Sequence, residues 1–189
     1  MDLKEQIESI HESLERKQQS MDRILQMSRE MVRMASKSIT LMHSGKLEDA
    51  AGMVSGMDSQ RDEMLKMSRE DGMEFYSVQP LQEYVEAKAL LGIISKGRIP
   101  LTAELGVPQE PYVLGLMDVV GELKREILES ISSGKGSLAD AYLAKMKEIY
   151  DSTRGIRFSD SVLPGFRRKQ DVARMQIESA WSDILSSRR

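Results

Sequence analysis

The sequence predicts an all-α protein, and three observations carry that prediction. From Leu3 to Met42, apolar residues recur at alternating spacings of four and three, the period of one helix face. Glycine and proline clusters then cut the remaining chain into helix-length pieces. No Val-, Ile- or Thr-rich run with period-two alternation stands between turns, so strands have no sequence support.

The elements follow in order. Positions 3, 7, 10, 14, 17, 21, 24, 28, 31, 35, 38 and 42 hold nine apolar residues among twelve, which predicts one long helix stopped near Ser44-Gly45. A dimeric coiled coil would satisfy this stripe, but the helices that follow favour packing within one bundle. Leu47, Ala50, Val54, Met57, Met64 and Leu65 predict a second helix from Lys46 to about Gly72. Gly52 and Gly56 weaken it by roughly 1 kcal/mol each relative to alanine. The third helix is expected to open at Gln79-Pro80, run through Leu81–Ile94 and stop before Gly97. Leu101 to Leu105 leaves room for only a short helix. Pro111 is then expected to open a helix ending near Ser132-Ser133-Gly134. Two more run from about Leu138 to Tyr150 and from about Gly165 to Ser186. The expected architecture is a bundle of six to seven antiparallel helices, with residues 1–189 forming a single domain and no linker long enough to separate a second.

Composition narrows the chemistry. The chain has 189 residues, 40% of them apolar and 30% charged, which is ordinary for a soluble domain. Aromatics are 5% against 14 methionines, so the core is expected to be aliphatic and thioether-filled. With no cysteine, disulfides, thiol nucleophiles and Cys-ligated zinc are all excluded. Only His11 and His43 are present, so a histidine-rich metal site is excluded too, and His43 reads as a cap or packing residue rather than a base. Neither a G-x-S-x-G elbow nor a Walker phosphate loop occurs. No apolar run reaches the roughly 18 residues of a membrane span, and the charged N-terminus is unlike a signal peptide. A cytoplasmic protein without a membrane partner is therefore expected. The net charge of −3 hides an asymmetry: Arg154 to Arg189 carries eight basic and four acidic residues, a local +4, which leaves −7 on the rest. Such a segment suits phosphates or the acidic face of another subunit, although a solvated helix accounts for it equally well.

The residues with chemical potential are acids. Glu83 and Glu86, three apart, project from one helix face, and the helix runs on from Ala87 to Ile94 apolar nearly all round. Two carboxylates leading into a buried segment require a cation or a proton to offset repulsion and desolvation. Asp118 and Glu122, four apart, share a face of another helix. Packed together, the two helices would bring four carboxylates to one place, a donor set suited to Mg²⁺ or Mn²⁺. The competing reading is that the stripe through Gly115, Asp118, Glu122, Arg125, Glu126 and Glu129 simply faces water, opposite Val113, Leu116, Val120, Leu123 and Ile127.

The stretches Leu81-Gln82-Glu83-Tyr84-Val85-Glu86-Ala87 and Tyr112-Val113-Leu114-Gly115-Leu116-Met117-Asp118-Val119-Val120-Gly121-Glu122-Leu123 resemble the translin superfamily. The closer likeness is to its translin-associated factor X (TRAX) branch, whose pattern is Q-E-Y-V-E-A followed by Y-L-L-G-x-x-D-x-x-G-E-L. Ser28-Arg29-Glu30, Lys37, Ile39, Leu41 and His43 are similar to the family's first helix, and Tyr150-Asp151 and the basic run from Phe166 to Arg174 to its late helices. The chain is shorter than its eukaryotic relatives, and the insertion before the Asp118 helix is nearly absent. The resemblance implies an all-α subunit of a hollow homo-oligomeric barrel, an octamer in the typical case. It implies a Mg²⁺-dependent endoribonuclease acting on structured or double-stranded RNA, with Glu83, Glu86, Asp118 and Glu122 as both catalytic residues and metal ligands. One of these carboxylates would orient the attacking water, with Glu122 favoured among them. Arg29 and Lys37 carry over as RNA contacts, whereas Arg33 and Ser44 depart from the pattern. Translin itself binds RNA and DNA without the full acid set, so the alternative is a non-catalytic RNA- or single-stranded-DNA-binding protein. A helical interaction protein with no nucleic-acid partner is the third reading.

Overall fold

The computed structural model describes residues 2–70 and 72–188. Seven helices and no strand are present among them: α1 (Leu3–His43), α2 (Leu47–Glu70), α3 (Glu74–Lys96), α4 (Thr102–Leu105), α5 (Gln109–Ser132), α6 (Gly136–Thr153) and α7 (Phe166–Ser187). The all-α expectation is met.

Local chemistry explains the ends. Asp2 caps α1 by accepting from the Glu5 backbone N–H at 2.9 Å, while the Glu5 carboxylate accepts from the Asp2 N–H at 2.8 Å. The helix stops where predicted, because Gly45 takes φ 73°, a left-handed conformation that favours glycine. Three residues then turn the chain, so α2 doubles back along α1.

One boundary differs from expectation. α3 begins at Glu74, and Pro80 lies inside it rather than at its start. Proline lacks the N–H that would reach the Tyr76 carbonyl, yet its ring still fits a helix whose later turns are held by burial of Leu81, Tyr84, Val85, Ala87 and Leu90. α5 likewise starts two residues before Pro111.

All the buried apolar side chains except Ile24 and Met73 form one core that draws on every helix. α5 lies at its centre, packed against α3, α6 and α7, while α1 packs on α2 and α3. Val119, Val120, Leu123 and Ile127 of α5 are fully buried, so the apolar stripe read from the sequence is its inward face. The helices α3 and α5 approach unusually closely at Gly115. A Cβ there would lie 2.6 Å from the Gln82 carbonyl oxygen and 2.8 Å from Val85 Cβ. Behind this contact, the Tyr84 hydroxyl donates to Asp58 (2.7 Å) and accepts from Arg61 (3.0 Å), and Lys88 pairs with Asp58 at 2.7 Å. That network fastens α2 to the far side of α3. No helix among the described residues is long and apolar enough to cross a membrane.

Candidate acid cleft between α3, α5 and α7

The four predicted acids line a single cleft of about 580 Å³. α3 contributes Gln82, Glu83 and Glu86, one turn apart on the face that meets α5. α5 contributes Met117, Asp118, Gly121 and Glu122. The third wall, not anticipated from spacing, is the start of α7, with Gly165, Arg168, Lys169, Val172 and Gln176. The close packing at Gly115 sets how near the two pairs of acids can come.

The charges compensate one another. Lys169 Nζ donates to Asp118 Oδ1, and Gln82 Nε2 donates to Asp118 Oδ2 at 2.6 Å, so both oxygens of that carboxylate are engaged. His43, at the last residue of α1, lies between two acids of α5: Nε2 stands 2.5 Å from Glu122 Oε2 and Nδ1 2.5 Å from Glu126 Oε1. Both ring nitrogens can serve two carboxylates only as N–H donors, which calls for the imidazolium. Hydrogen bonds to Glu122 and then Glu126 accordingly push the His43 pKa up to about 9 against the opposing effect of burial. Glu86 is 8% exposed; burial, then the charges of Asp118, Glu83 and Glu122, push its carboxyl up to about 8. Glu83 is raised as well, by burial first and Asp118 second, with Lys169 pulling the other way.

The arrangement decides between the two readings of Asp118 and Glu122. They do not face open water: both are part-buried and engaged across helices, by Lys169 from α7 and His43 from α1. Even so, among the described residues no three His, Cys, Asp or Glu side chains already stand in a metal-coordinating arrangement. Carboxylates in one cleft repel, and here Lys169 offsets Asp118, His43 offsets Glu122, and the Glu86 carboxyl is pushed toward its protonated form. In type the donors suit a hard divalent cation, since four carboxylates offer only oxygen, and the Lys169 ammonium already stands among them as a tethered cation.

The predicted RNA contacts lie elsewhere. Arg29 and Lys37 are exposed on α1 and do not line the cleft. The residues that sequence reasoning missed are Lys169, Arg168, Gln82 and His43. The basic run around Lys169 was visible, but nothing in its spacing tied it to an aspartate 51 positions away.

A helical bundle with an acid cleft at the junction of its third, fifth and seventh helices defines the class, and the comparisons with known proteins specify it. The family model described as the translin family matches residues 2–180, and the chain belongs to that family. The uncharacterized protein MJ0175 of Methanocaldococcus jannaschii is 32% identical over 169 residues, covering 87% of this chain and 75% of the relative. Among solved structures, a complex of AfC3PO with duplex RNA superposes with a TM-score of 0.91 at 31% identity, covering 97% of this chain and 96% of that one. AfC3PO alone gives 0.89 at 31% identity, with 97% of both chains covered. Apo-NeC3PO gives 0.89 at 22% identity, covering 96% of each chain, a likeness of fold.

Proposed function

We propose that the protein is a divalent-metal-dependent endoribonuclease that acts on structured or double-stranded RNA as part of a homo-oligomer, with an octamer as the assembly the family suggests. The observation that carries this reading is the convergence of Glu83, Glu86, Asp118 and Glu122 on one cleft, beside Arg168 and Lys169. Similarity over nearly the whole chain to AfC3PO, a protein solved with duplex RNA, supports the choice of substrate.

Glu83, Glu86, Asp118 and Glu122 would hold the ion, Mg²⁺ or Mn²⁺ by the chemistry of the donors. The chemistry supplied there is Lewis-acid polarisation of a phosphodiester and activation of water. The protein's own contribution is positional. His43 fixes Glu122 through one oxygen, which suits that carboxylate to orienting a water. Gln82 fixes Asp118 in the same way. Arg168 and Lys169 supply cations for the RNA backbone at the edge of the acids. A duplex would be recognised through phosphates and 2′-hydroxyls, with little sequence preference.

The test is cleavage of a structured RNA by the purified protein with Mg²⁺, repeated with Glu86→Gln. The substitution mimics the protonated carboxyl in shape, so the fold should be kept while products disappear. Cleavage that persists in the variant, or in EDTA, would refute the assignment. A second reading, a nucleic-acid binder without hydrolysis and with single-stranded DNA as a further ligand, is favoured by the engagement of Asp118 and Glu122 by Lys169 and His43. It predicts RNA retention that weakens with salt and no Mg²⁺-dependent products.

A further inference from the structure

We propose that Lys169 is a resident counter-ion of the acid cleft: its ammonium holds Asp118 in place of a divalent cation and must leave that carboxylate before the cation can enter. The inference rests on the divalent-ion reading above and adds to it the residue that controls loading.

Three observations converge on Lys169. Its Nζ donates to Asp118 Oδ1 while Gln82 takes Oδ2, so the aspartate has no oxygen left without a partner unless one of these lets go. Of the two, Gln82 is a neutral amide that can stay while a cation binds. Lys169 is a like charge that cannot share a carboxylate with a metal ion at low cost. Second, its position is unfavourable for the helix that bears it. The first turn of α7 carries Arg167, Arg168 and Lys169 and no acid, against the positive end of the helix dipole. Arg168 and Lys169 are explained by what they face, the four carboxylates across the cleft, rather than by any benefit to α7. Third, the side chain is able to move. Lys169 remains 28% exposed at the cleft mouth, and lysine carries its charge on a flexible stem rather than in the rigid fork of arginine. Once displaced, the ammonium stays beside Arg168, where a backbone phosphate of RNA offers it a new partner. One residue thus neutralises the acids in the empty state and assists substrate binding in the loaded one.

Mn²⁺ titration of the full-length protein without RNA, following the paramagnetic resonance of the free ion, tests this. Lys169→Gln should bind Mn²⁺ roughly tenfold more tightly than wild type, because a competing cation has been removed. Lys169→Arg, which grips Asp118 through a planar fork, should bind no more tightly than wild type. The same Lys169→Gln protein should melt lower than wild type in EDTA, gain more from Mn²⁺, and bind RNA more weakly. A merely structural role would lower the melting midpoint and leave Mn²⁺ affinity unmoved, which would overturn the inference. If wild type binds no Mn²⁺ saturably, the divalent-ion reading itself falls and takes this one with it; if wild type binds and Lys169→Gln binds no better, only this inference falls. Should Lys169→Gln fail to fold, the ¹⁵Nζ resonance of Lys169 in wild type decides. It should shift on addition of Mg²⁺, and an unmoved signal at saturating Mg²⁺ would refute displacement.

Discussion

At the scale of single residues, the cleft stores protons in a way that stability measurements can read. His43 has a folded-state pKa of about 9, above its ordinary 6.5, so its stabilising contribution is complete below pH 6.5 and is lost as pH rises through 9. Glu86, raised from 4.5 to about 8, works in the same direction by a different route. Between those values the unfolded chain releases a proton that the folded chain retains, so stability falls as pH rises across that window. The metal-free protein is therefore expected to lose melting temperature steadily from pH 5 to pH 9 in calorimetry with EDTA. Added Mg²⁺ should restore most at the alkaline end, where binding no longer has to expel protons. A melting temperature that is flat or climbing over that range would contradict the pairing of His43 with Glu122 and Glu126. The acids themselves were legible in the sequence, because spacings of three and four fix which side chains share a helix face. Their cationic partners were not. His43 and Lys169 reach Glu122 and Asp118 across 79 and 51 positions, and helical periodicity carries no information about contacts between helices so far apart in the chain.

At the scale of elements, the contact that fixes the site is the approach of α3 to α5. With a side chain at position 115, the Gln82 carbonyl and Val85 would have to move, and both flank Glu83 and Glu86. Gly115→Ala is expected to cost about 1–3 kcal/mol through overpacking, measured by urea unfolding. It should also weaken Mn²⁺ binding, because separating the helices moves one acid pair away from the other. A variant as stable as wild type would show that the helices can part without strain. Sequence reading places the C-terminal ends of all seven helices within three residues, and at Gly45 and Gly97 the stop has a local cause. The start of α3 falls six residues ahead of Pro80, a residue that on local grounds marks a helix opening. Burial of the residues after it, a tertiary effect, carries the helix back to Glu74 instead. Nor did the sequence reveal that Gly115 marks a close approach, because a glycine within a helix reads only as a local weakness.

At the scale of the whole molecule, α1 is the element left unfinished. Its 41 residues span about 60 Å, yet its first buried side chain is Ile24. Ahead of it, Leu3, Ile7, Ile10 and Leu14 continue the same stripe that is buried farther along, and Leu3 is 73% exposed. The proposed homo-oligomer gives this arm a use: a second copy's arm would cover it in coiled-coil fashion. Glu5, Glu8, Glu12 and Glu15 precede Arg16 and Lys17, with Lys4 ahead of them, so an antiparallel pair would set the mainly acidic stretch of one arm against the basic pair of the other. Removing residues 2–20 should leave the bundle helical by circular dichroism and reduce the native mass of the assembly. An unchanged mass would move the subunit contacts elsewhere, for example to Trp181 and Leu185 on α7, which are also exposed.

The sulfur of this protein is all thioether, and eight methionines are buried in the described residues: Met27, Met31, Met42, Met57, Met64, Met73, Met117 and Met146. One of them, Met117, lines the acid cleft while its sulfur accepts from the Thr153 hydroxyl at 3.5 Å. The chain therefore comes with its own spectroscopic labels. Isotope enrichment of the methionine methyl groups would place one reporter at the floor of the cleft and others in α1, α2 and α6, so that events at the acids could be followed into the interior without altering a single residue.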